Sequence, residues 1–458
     1  MSSRKLTRRE LVKAGAVAAV GFPYIVRSSS LGLAGTVAPS NRITMGCIGV
    51  GGQGTHNMLR LAQLPEVQVV AVCDVEREST NYYGGGGYGL DPAQKRVEEH
   101  YSKNRPEGWK GCDKYKDFRE LLARRDIDAV TVCTPDHWHA IISVAAANAG
   151  KHIYCEKPLA NSVAEGRAIV EAVTRNKRVL QTGSHERSGH NARFACELVR
   201  NGRIGNLKTI EINLPDDDPH HKQVRQMQHE ALAEEPVPGT LDWDFWLGPA
   251  ERVPYNAKRC HFFWRFILAH GAGEMSDRGA HVIDLAQLGN GTDDTGPIEI
   301  MAEGKREPGP GPFDVFWDYK FEFQYASGVR MVGGAKGPRG LKFVGDEGWI
   351  FIHVHGARLE ASTPSLLEGD PAKERDDLKV RLGRSAGHHQ NFIDGIKGRA
   401  EVVAPAEVGH RTGSICHLAN IAMATGETLK WDPKAEKITN SEAANRMLRP
   451  KMREPWTI

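Results

Sequence analysis

The stretch that most constrains this chain is "CIGVGGQGTHNMLRLA", residues 47–62. Three glycines are spaced as Gly49-x-Gly51-x-x-Gly54, with Gly52 between them. They follow the apolar run "RITMGCIGVG" and precede "THNMLRLAQL", whose apolar residues recur at helical spacing. Strand, glycine turn and helix in that order are the context in which such glycines let a backbone approach a pyrophosphate. The unpaired N–H groups and the dipole at the helix start favour that anion. A second buried run, "VQVVAVCD", ends at Asp74, 20 residues past Gly54. An acid there accepts hydrogen bonds from both ribose hydroxyls of NAD and repels the extra phosphate of NADP. Arg77 stands close enough to soften that preference.

The alternation continues. "KDFRELLAR" reads as a helix, "IDAVTVCTP" as a strand, "DHWHAIISVAAANAG" as a helix and "KHIYCEKP" as a strand, followed by the helix "SVAEGRAIVEAVTRNK" and the strand "RVLQTGS". This order predicts a doubly wound parallel sheet of Rossmann type, with a dinucleotide-binding domain over 39–185. "YYGGGGYGL" reads as a loop. The pattern then changes. "LKTIEINLP", "VFWDYKFEFQYASGVRMVGGAKG" and "GLKFVGDEGWIFIHV" alternate apolar with polar and are joined by glycine turns. Helices are expected at "HHQNFIDGIKGR" and "GSICHLANIAMATG". Residues 186–458 therefore read as an α+β domain around a large open, mainly antiparallel sheet. "PDDDPHH" at 215–221 mixes acids and histidines without ligand spacing and reads as a solvated loop; no metal is expected.

Charge excludes one class of partner. Sixty Lys and Arg against 57 Asp and Glu give +3, no electrostatic footprint for nucleic acid. The eight cysteines form no CxxC pair, and Cys47, Cys73, Cys133 and Cys155 lie in or beside strand-like runs, as small buried hydrophobes do. The N-terminus is different. Thr7-Arg8-Arg9-Glu10-Leu11-Val12-Lys13 precedes a mildly apolar Ala/Gly/Val stretch, and Gly32 and Ala34 suit a signal peptidase. This is similar to a twin-arginine export signal, and residues 1–38 are set aside as signal and linker. Such a signal implies engagement of the twin-arginine translocation machinery and a periplasmic destination, with the folded protein carrying its cofactor out.

"CEKPLA", residues 155–160, brings a family into view. Glu156-Lys157-Pro158 after a buried strand resembles the signature of the glucose–fructose oxidoreductase/inositol dehydrogenase (Gfo/Idh/MocA) family. "CTPDHWHA" resembles the loop that borders the nicotinamide there, which implies cofactor contacts for Thr134, Pro135 and His139 besides Glu156 and Lys157. "GEMSDRGAHVIDLAQ" resembles the family's second-domain motif, with Asp277 and His281. "LDWDFWLGP", "RCHFFWRF", "APAEVGHR" and "KWDP" resemble its exported, sugar-acting branch. The resemblance covers essentially the whole chain after the signal.

The resemblance implies an NAD-dependent oxidoreductase acting on a CH–OH group of a sugar, glycoside or cyclic polyol, with the cofactor tightly held. NADP is the lesser candidate. Lys157, aimed by a cis Lys–Pro bond, would polarise the reacting oxygen. His281, one helical turn from Asp277, would be the base, with Asp277 binding a hydroxyl or fixing the imidazole. Asp284 is a second candidate for that orienting role. His185, Arg187, His261 and Arg265 are candidates to bind the substrate. A homo-oligomer through the C-terminal sheet is expected. The alternative is a glycosidase in outcome, in which NAD oxidises a ring hydroxyl, the glycosidic bond leaves by elimination and the cofactor is regenerated in place. The usual two-carboxylate hydrolase is not indicated, since no carboxylate pair stands out.

Overall fold

The computed structural model describes residues 37–104, 111–356, 358–373 and 377–458. The twin-arginine stretch lies outside the described residues. Ile43–Ile458 form one compact unit. Residues 37–42 contribute one short turn, with Arg42 Nε donating to the Val37 carbonyl at 3.1 Å.

The first half runs β1 (Ile43–Ile48), α1 (Gly52–Ala62), β2 (Val67–Cys73), α2 (Leu90–Asn104), β3 (Asp113–Tyr115), α3 (Phe118–Leu122), β4 (Ala129–Val132), α4 (Asp136–Asn148), β5 (His152–Cys155), α5 (Val163–Arg175) and β6 (Leu180–Thr182). The strands make one sheet in the order β3-β2-β1-β4-β5-β6, every pair parallel. The strands are apolar almost throughout because helices cover both faces. Met45, Cys47, Val69 and Val72 pack under Met58, Leu61, Val97 and Tyr101 on one side. Ala71, Cys73, Val130 and Val132 pack against Leu121, Ile141, Ile142 and Ile169 on the other. The strand order reverses between β1 and β4, which opens a crevice at their carboxyl ends.

The second half continues with α6 (His190–Arg200), β7 (Leu207–Asn213), α7 (Pro219–Gln228), α8 (Trp243–Leu247), α9 (Gly273–Asp277), α10 (Gly279–Asn290), β8 (Glu299–Arg306), β9 (Phe316–Gln324), β10 (Arg330–Gly334), β11 (Gly340–Gly345), β12 (Trp349–His353) and β13 (Leu359–Ala361). It ends with α11 (His388–Ile396), α12 (Ala406–Thr425), β14 (Leu429–Asp432), β15 (Lys437–Ile438) and α13 (Glu442–Met447). Nine strands form one sheet in the order β13-β12-β11-β7-β10-β9-β8-β14-β15. Its pairs are antiparallel except β7 with β10. One face is apolar: Ile210, Ile212, Phe323, Met331 and Phe343 meet Phe194, Leu285, Ile415 and Leu418 of the covering helices. The alternate positions Glu303, Lys320 and Arg330 are exposed. Arg167 of α5 ties the halves together, donating to Glu407 and Glu436 at 2.6–3.0 Å.

The sequence reading does not name α2, α6 or β8, among others, and it misassigns one stretch. The helix α2 was not anticipated, although Leu90, Ala93, Val97 and Tyr101 make a buried stripe at helical spacing; the glycine run before it and its many charges mask the stripe. The "PDDDPHH" stretch is not a solvated loop. It starts α7, with Pro219 in the first turn and the Asp218 N–H donating to His221 Nδ1 at 3.0 Å. Proline tolerates the first helical turn because its missing N–H is not needed there.

Candidate active site

The crevice is a cleft of about 400 Å³ that runs from the glycine turn to the helix pair α9–α10. At one end Gly49 adopts φ +78°, and a side chain there would meet the backbone of Cys133 and Thr134 at 2.7 Å. At Gly54 a Cβ would lie 1.8 Å from the Gly49 carbonyl oxygen. Gly49 and Gly54 are thus closed to any side chain, and both line the cleft together with Gly51 and Gly52. Asp74 is fixed beside it. Its two carboxylate oxygens accept from the Val50 N–H at 2.7 Å and the Glu76 N–H at 2.9 Å. Burial raises the Asp74 pKa, and those backbone donors pull it back only in part. Arg77 does not line the cleft; its guanidinium lies 3.8 Å from Asp91.

The ends of β4 and β5 supply the middle of the cleft. Thr134 and Pro135 line it, and Thr134 Oγ1 is buried with no hydrogen-bond partner among the described residues. Glu156 is set by α1, accepting from Asn57 Nδ2 at 2.7 Å and Gln53 Nε2 at 3.3 Å. The Lys157–Pro158 bond is cis. Lys157 Nζ donates to Asp277 Oδ1 at 2.6 Å and to the Asp277 carbonyl at 2.9 Å. Arg265 Nε stands 3.5 Å from the same carboxylate oxygen. Burial works against the Asp277 charge, yet the attraction of Lys157 and then Arg265 outweighs it and holds the carboxyl well below its usual range. His281 is buried, and burial together with Lys157 drives its pKa well below 6.5, so the ring is neutral near pH 7. Its Nδ1 has no hydrogen-bond partner among the described residues.

The structure brings Lys157, Asp277, His281, His185 and Arg265 onto one cleft. It moves other candidates out of their expected places. Arg187 is 3% exposed and does not reach the cleft. Its guanidinium donates to Asp284 at 2.7 Å and to Asp293 at 2.7 and 2.9 Å, a buried ion pair rather than a substrate contact. The same bonds, with one from Thr412 at 3.1 Å, occupy Asp284, which therefore does not orient His281. Asp277 and His281 are not on one continuous helix: α9 ends at Asp277 and α10 begins at Gly279. His139 lines the cleft but spends both ring nitrogens on backbone, Nδ1 2.7 Å from the Pro158 oxygen and Nε2 2.9 Å from that of Thr134. It holds two cleft loops together rather than offering the cofactor a donor. His261 lies at the Asp74 end, with Nε2 3.6 Å from Glu76 and its ring 4.3 Å from that of Tyr82.

Several lining residues were not singled out from the sequence. Tyr82 leaves the glycine-rich loop to sit against the turn, near enough that a Gly51 side chain would meet its ring at 2.8 Å. Asp136 is buried on the cleft wall, and burial, with Asp277 nearby, pushes its pKa well above the usual range. Glu186 and His355 adjoin His185. Burial opposes the Glu186 charge, but hydrogen bonds from His185 and His355 win and pull it to about 2. The bond to Glu186 also raises His185. No local spacing announces this group, because His355 lies on a different sheet strand's end, far along the chain.

The residues fit a nicotinamide dinucleotide. A sterically closed glycine turn faces an anchored carboxylate, and an unpartnered hydroxyl lines the space between turn and lysine. Comparison with known proteins agrees. Residues 43–184 match the family model described as "Oxidoreductase family, NAD-binding Rossmann fold". Residues 193–458 match "Oxidoreductase family, C-terminal alpha/beta domain". The chain belongs to the Gfo/Idh/MocA oxidoreductase family. Among Gfo/Idh/MocA relatives, it is 30% identical over 176 residues to a myo-inositol 2-dehydrogenase of Thermotoga maritima, covering 38% of this chain and 46% of that protein. It is 29% identical over 184 residues to an alpha-N-acetylgalactosaminidase of Shewanella oneidensis, covering 39% and 37%. The chain thus spans less than half the length of these curated relatives. A solved levoglucosan dehydrogenase, complexed with NADH and levoglucosan, shares the fold over 85% of this chain and 99% of its own, with a TM-score of 0.58 and 19% identity.

Proposed function

We propose that this protein oxidises a hydroxyl of a sugar, glycoside or cyclic polyol with NAD. The observation that carries the reading is one cleft that joins the Gly49–Gly54 turn and Asp74 to the Lys157–Asp277 pair and a neutral His281. Bound in the cleft, the nicotinamide would accept the electron pair of the C–H bond. The chain's own residues handle the proton and the geometry. Lys157, held by Asp277, polarises the reacting hydroxyl. His281 takes its proton, being unprotonated near neutral pH. Arg265 and His185 line the same space and offer hydrogen bonds to neighbouring hydroxyls. Asp74 favours NAD over NADP, and Arg77, turned toward Asp91, does not counter it.

A second reading has its own support. The relative named alpha-N-acetylgalactosaminidase belongs to a class whose outcome is glycoside cleavage. In this reading a hydride would pass to bound NAD from the carbon two positions from the anomeric carbon; the C–H between them becomes acidic, loss of its proton expels the aglycone, water adds in its place, and return of the hydride to the ketone leaves NAD as it began. We place the protein in the periplasm, delivered by the twin-arginine machinery, and expect it to self-associate through the C-terminal sheet. A compartment poor in free dinucleotide favours a cofactor that stays bound.

One experiment separates the two outcomes. Protein purified from the cell envelope is incubated with a panel of aryl glycosides, free sugars and cyclic polyols and no electron acceptor. Many equivalents of aglycone per protein support elimination. One equivalent of keto-sugar with matching reduced nicotinamide supports a dehydrogenase. Neither product, with NAD bound, refutes sugar oxidation at this cleft.

A further inference from the structure

We propose that His185, Glu186 and His355 bind one divalent transition-metal ion on the substrate side of the cleft. The proposal deepens the sugar-oxidation reading and rests on it only for the identity of the ligand's outer partner, a sugar oxygen. One ligating atom from each residue lies within 4.8 Å of the others. Two imidazoles and a carboxylate are the protein ligands of one common catalytic zinc arrangement, which leaves a position open for water or substrate. Imidazole nitrogen suits zinc, cobalt, nickel and copper rather than magnesium or calcium.

The placement is built by separate elements. His185 and Glu186 follow β6, and His355 follows β12 with φ +66°. Glu186 Oε1 gathers three neighbours: His355 Nδ1 at 2.9 Å, the His355 N–H at 3.2 Å and His185 Nε2 at 3.4 Å. A third imidazole stands beside them. The ring of His281 lies 4.6 Å from that of His355 and 5.0 Å from that of His185, and its buried Nδ1 has no hydrogen-bond partner among the described residues. His185, His281 and His355 all line the cleft that holds Lys157, so the open position of an ion there would face the substrate. Vicinal hydroxyls of a sugar supply hard oxygen ligands for that position. The other group of this kind, Asp218, His220 and His221, is less suited. His221 already engages Glu274 at 2.7 Å through Nε2 and the Asp218 N–H through Nδ1. The absence of a metal signature in the sequence has a plain reason: two ligands are adjacent and the third is brought in by the far sheet.

The test is a cobalt titration of metal-stripped, full-length protein, read by the visible absorption of histidine-ligated Co²⁺ and by metal content after dialysis against zinc. His355→Ala, His355→Gln and Glu186→Gln are compared, with bound NAD measured in each to show that the fold is intact. The proposal expects one equivalent of metal in the native protein and affinity at least about tenfold weaker in every variant that still binds NAD. No cobalt absorption in native protein overturns it. So does unchanged affinity in the variants, or loss confined to a His220→Ala, His221→Ala protein. Metal-free protein that still reduces nicotinamide with a sugar, in a preparation that binds no cobalt, sinks the metal site alone and leaves the oxidation reading standing.

Discussion

Arg187 shows how a residue's role is decided by what surrounds it. In the sequence it stands beside His185, since "TGSHERS" places both just past a strand of the dinucleotide domain. The chain turns between them, so His185 is half-exposed at the cleft while Arg187 points into the interior toward Asp284 and Asp293. Arg187→Ala should therefore cost stability more than activity. Removing one partner of a buried pair leaves Asp284 fully enclosed with no cation beside it, a loss of roughly 3–5 kcal/mol. Urea unfolding measures it; a midpoint within error of the native protein would contradict the assignment. Lys157, Asp277 and His281 were singled out through the resemblance of "CEKPLA" and "GEMSDRGAHVIDLAQ" to the family's motifs; spacing alone does not pair them, since Lys157 and Asp277 meet across 120 residues of chain. Glu186, His355 and Asp136 were not, since their significance arises from contacts that only the assembled sheets create.

At the scale of elements, the glycine turn was the most readable feature because local geometry alone dictates it. Its sharpest test is Gly54→Ala. The added Cβ would sit 1.8 Å from the backbone oxygen of Gly49, and a backbone atom cannot rotate away as a side chain can. The turn must open, which costs on the order of 1–3 kcal/mol of stability and misplaces the phosphate-facing N–H groups. Thermal unfolding with and without NAD should show a lower midpoint and a smaller stabilisation by NAD. An equal NAD-induced shift in the variant would mean that the turn does not carry the cofactor. The six-stranded sheet was legible for the same reason: buried parallel strands read as short apolar runs between helices. The helix α2 was obscured by its charged surface. The helix α7 was obscured because acids, proline and histidine suit both a loop and a helix start; packing of Val224 and Met227 beneath Phe266 and Trp317 settles the choice. The parallel pairing of β7 with β10 leaves no local mark, because the two strands lie far apart in the chain and β10 also pairs antiparallel with its neighbour β9.

At the scale of the whole molecule, buried histidines set an acid limit. Burial lowers His137 to about 4, His388 to about 3 and His417 to about 4, against an ordinary 6.5. Below pH 6.5 the unfolded chain binds protons that the folded chain refuses. Their contribution is complete above 6.5 and falls as pH drops toward 4, by about 1.4 kcal/mol per unit for each histidine. Glu186 and Glu436, both at about 2, add a further loss below 4.5. Glu165, raised by burial to about 7, opposes the trend, since its folded form holds a proton that the unfolded chain gives up above 4.5. Urea midpoints should therefore fall from about pH 7 to about pH 5; a flat profile would contradict the burial of these rings. The proposed reaction passes electrons from a sugar to a bound nicotinamide across the whole cleft, under the direction of Lys157. Stopped-flow mixing of NAD-loaded protein with a panel of sugars, glycosides and cyclic polyols measures it through the near-ultraviolet absorbance of reduced nicotinamide. The expected result is a rise within the first turnover, and one slower by roughly 100-fold or more in a Lys157→Ala protein that still binds NAD. No reduced nicotinamide with any member of the panel, or an equal rate without the lysine, would contradict it.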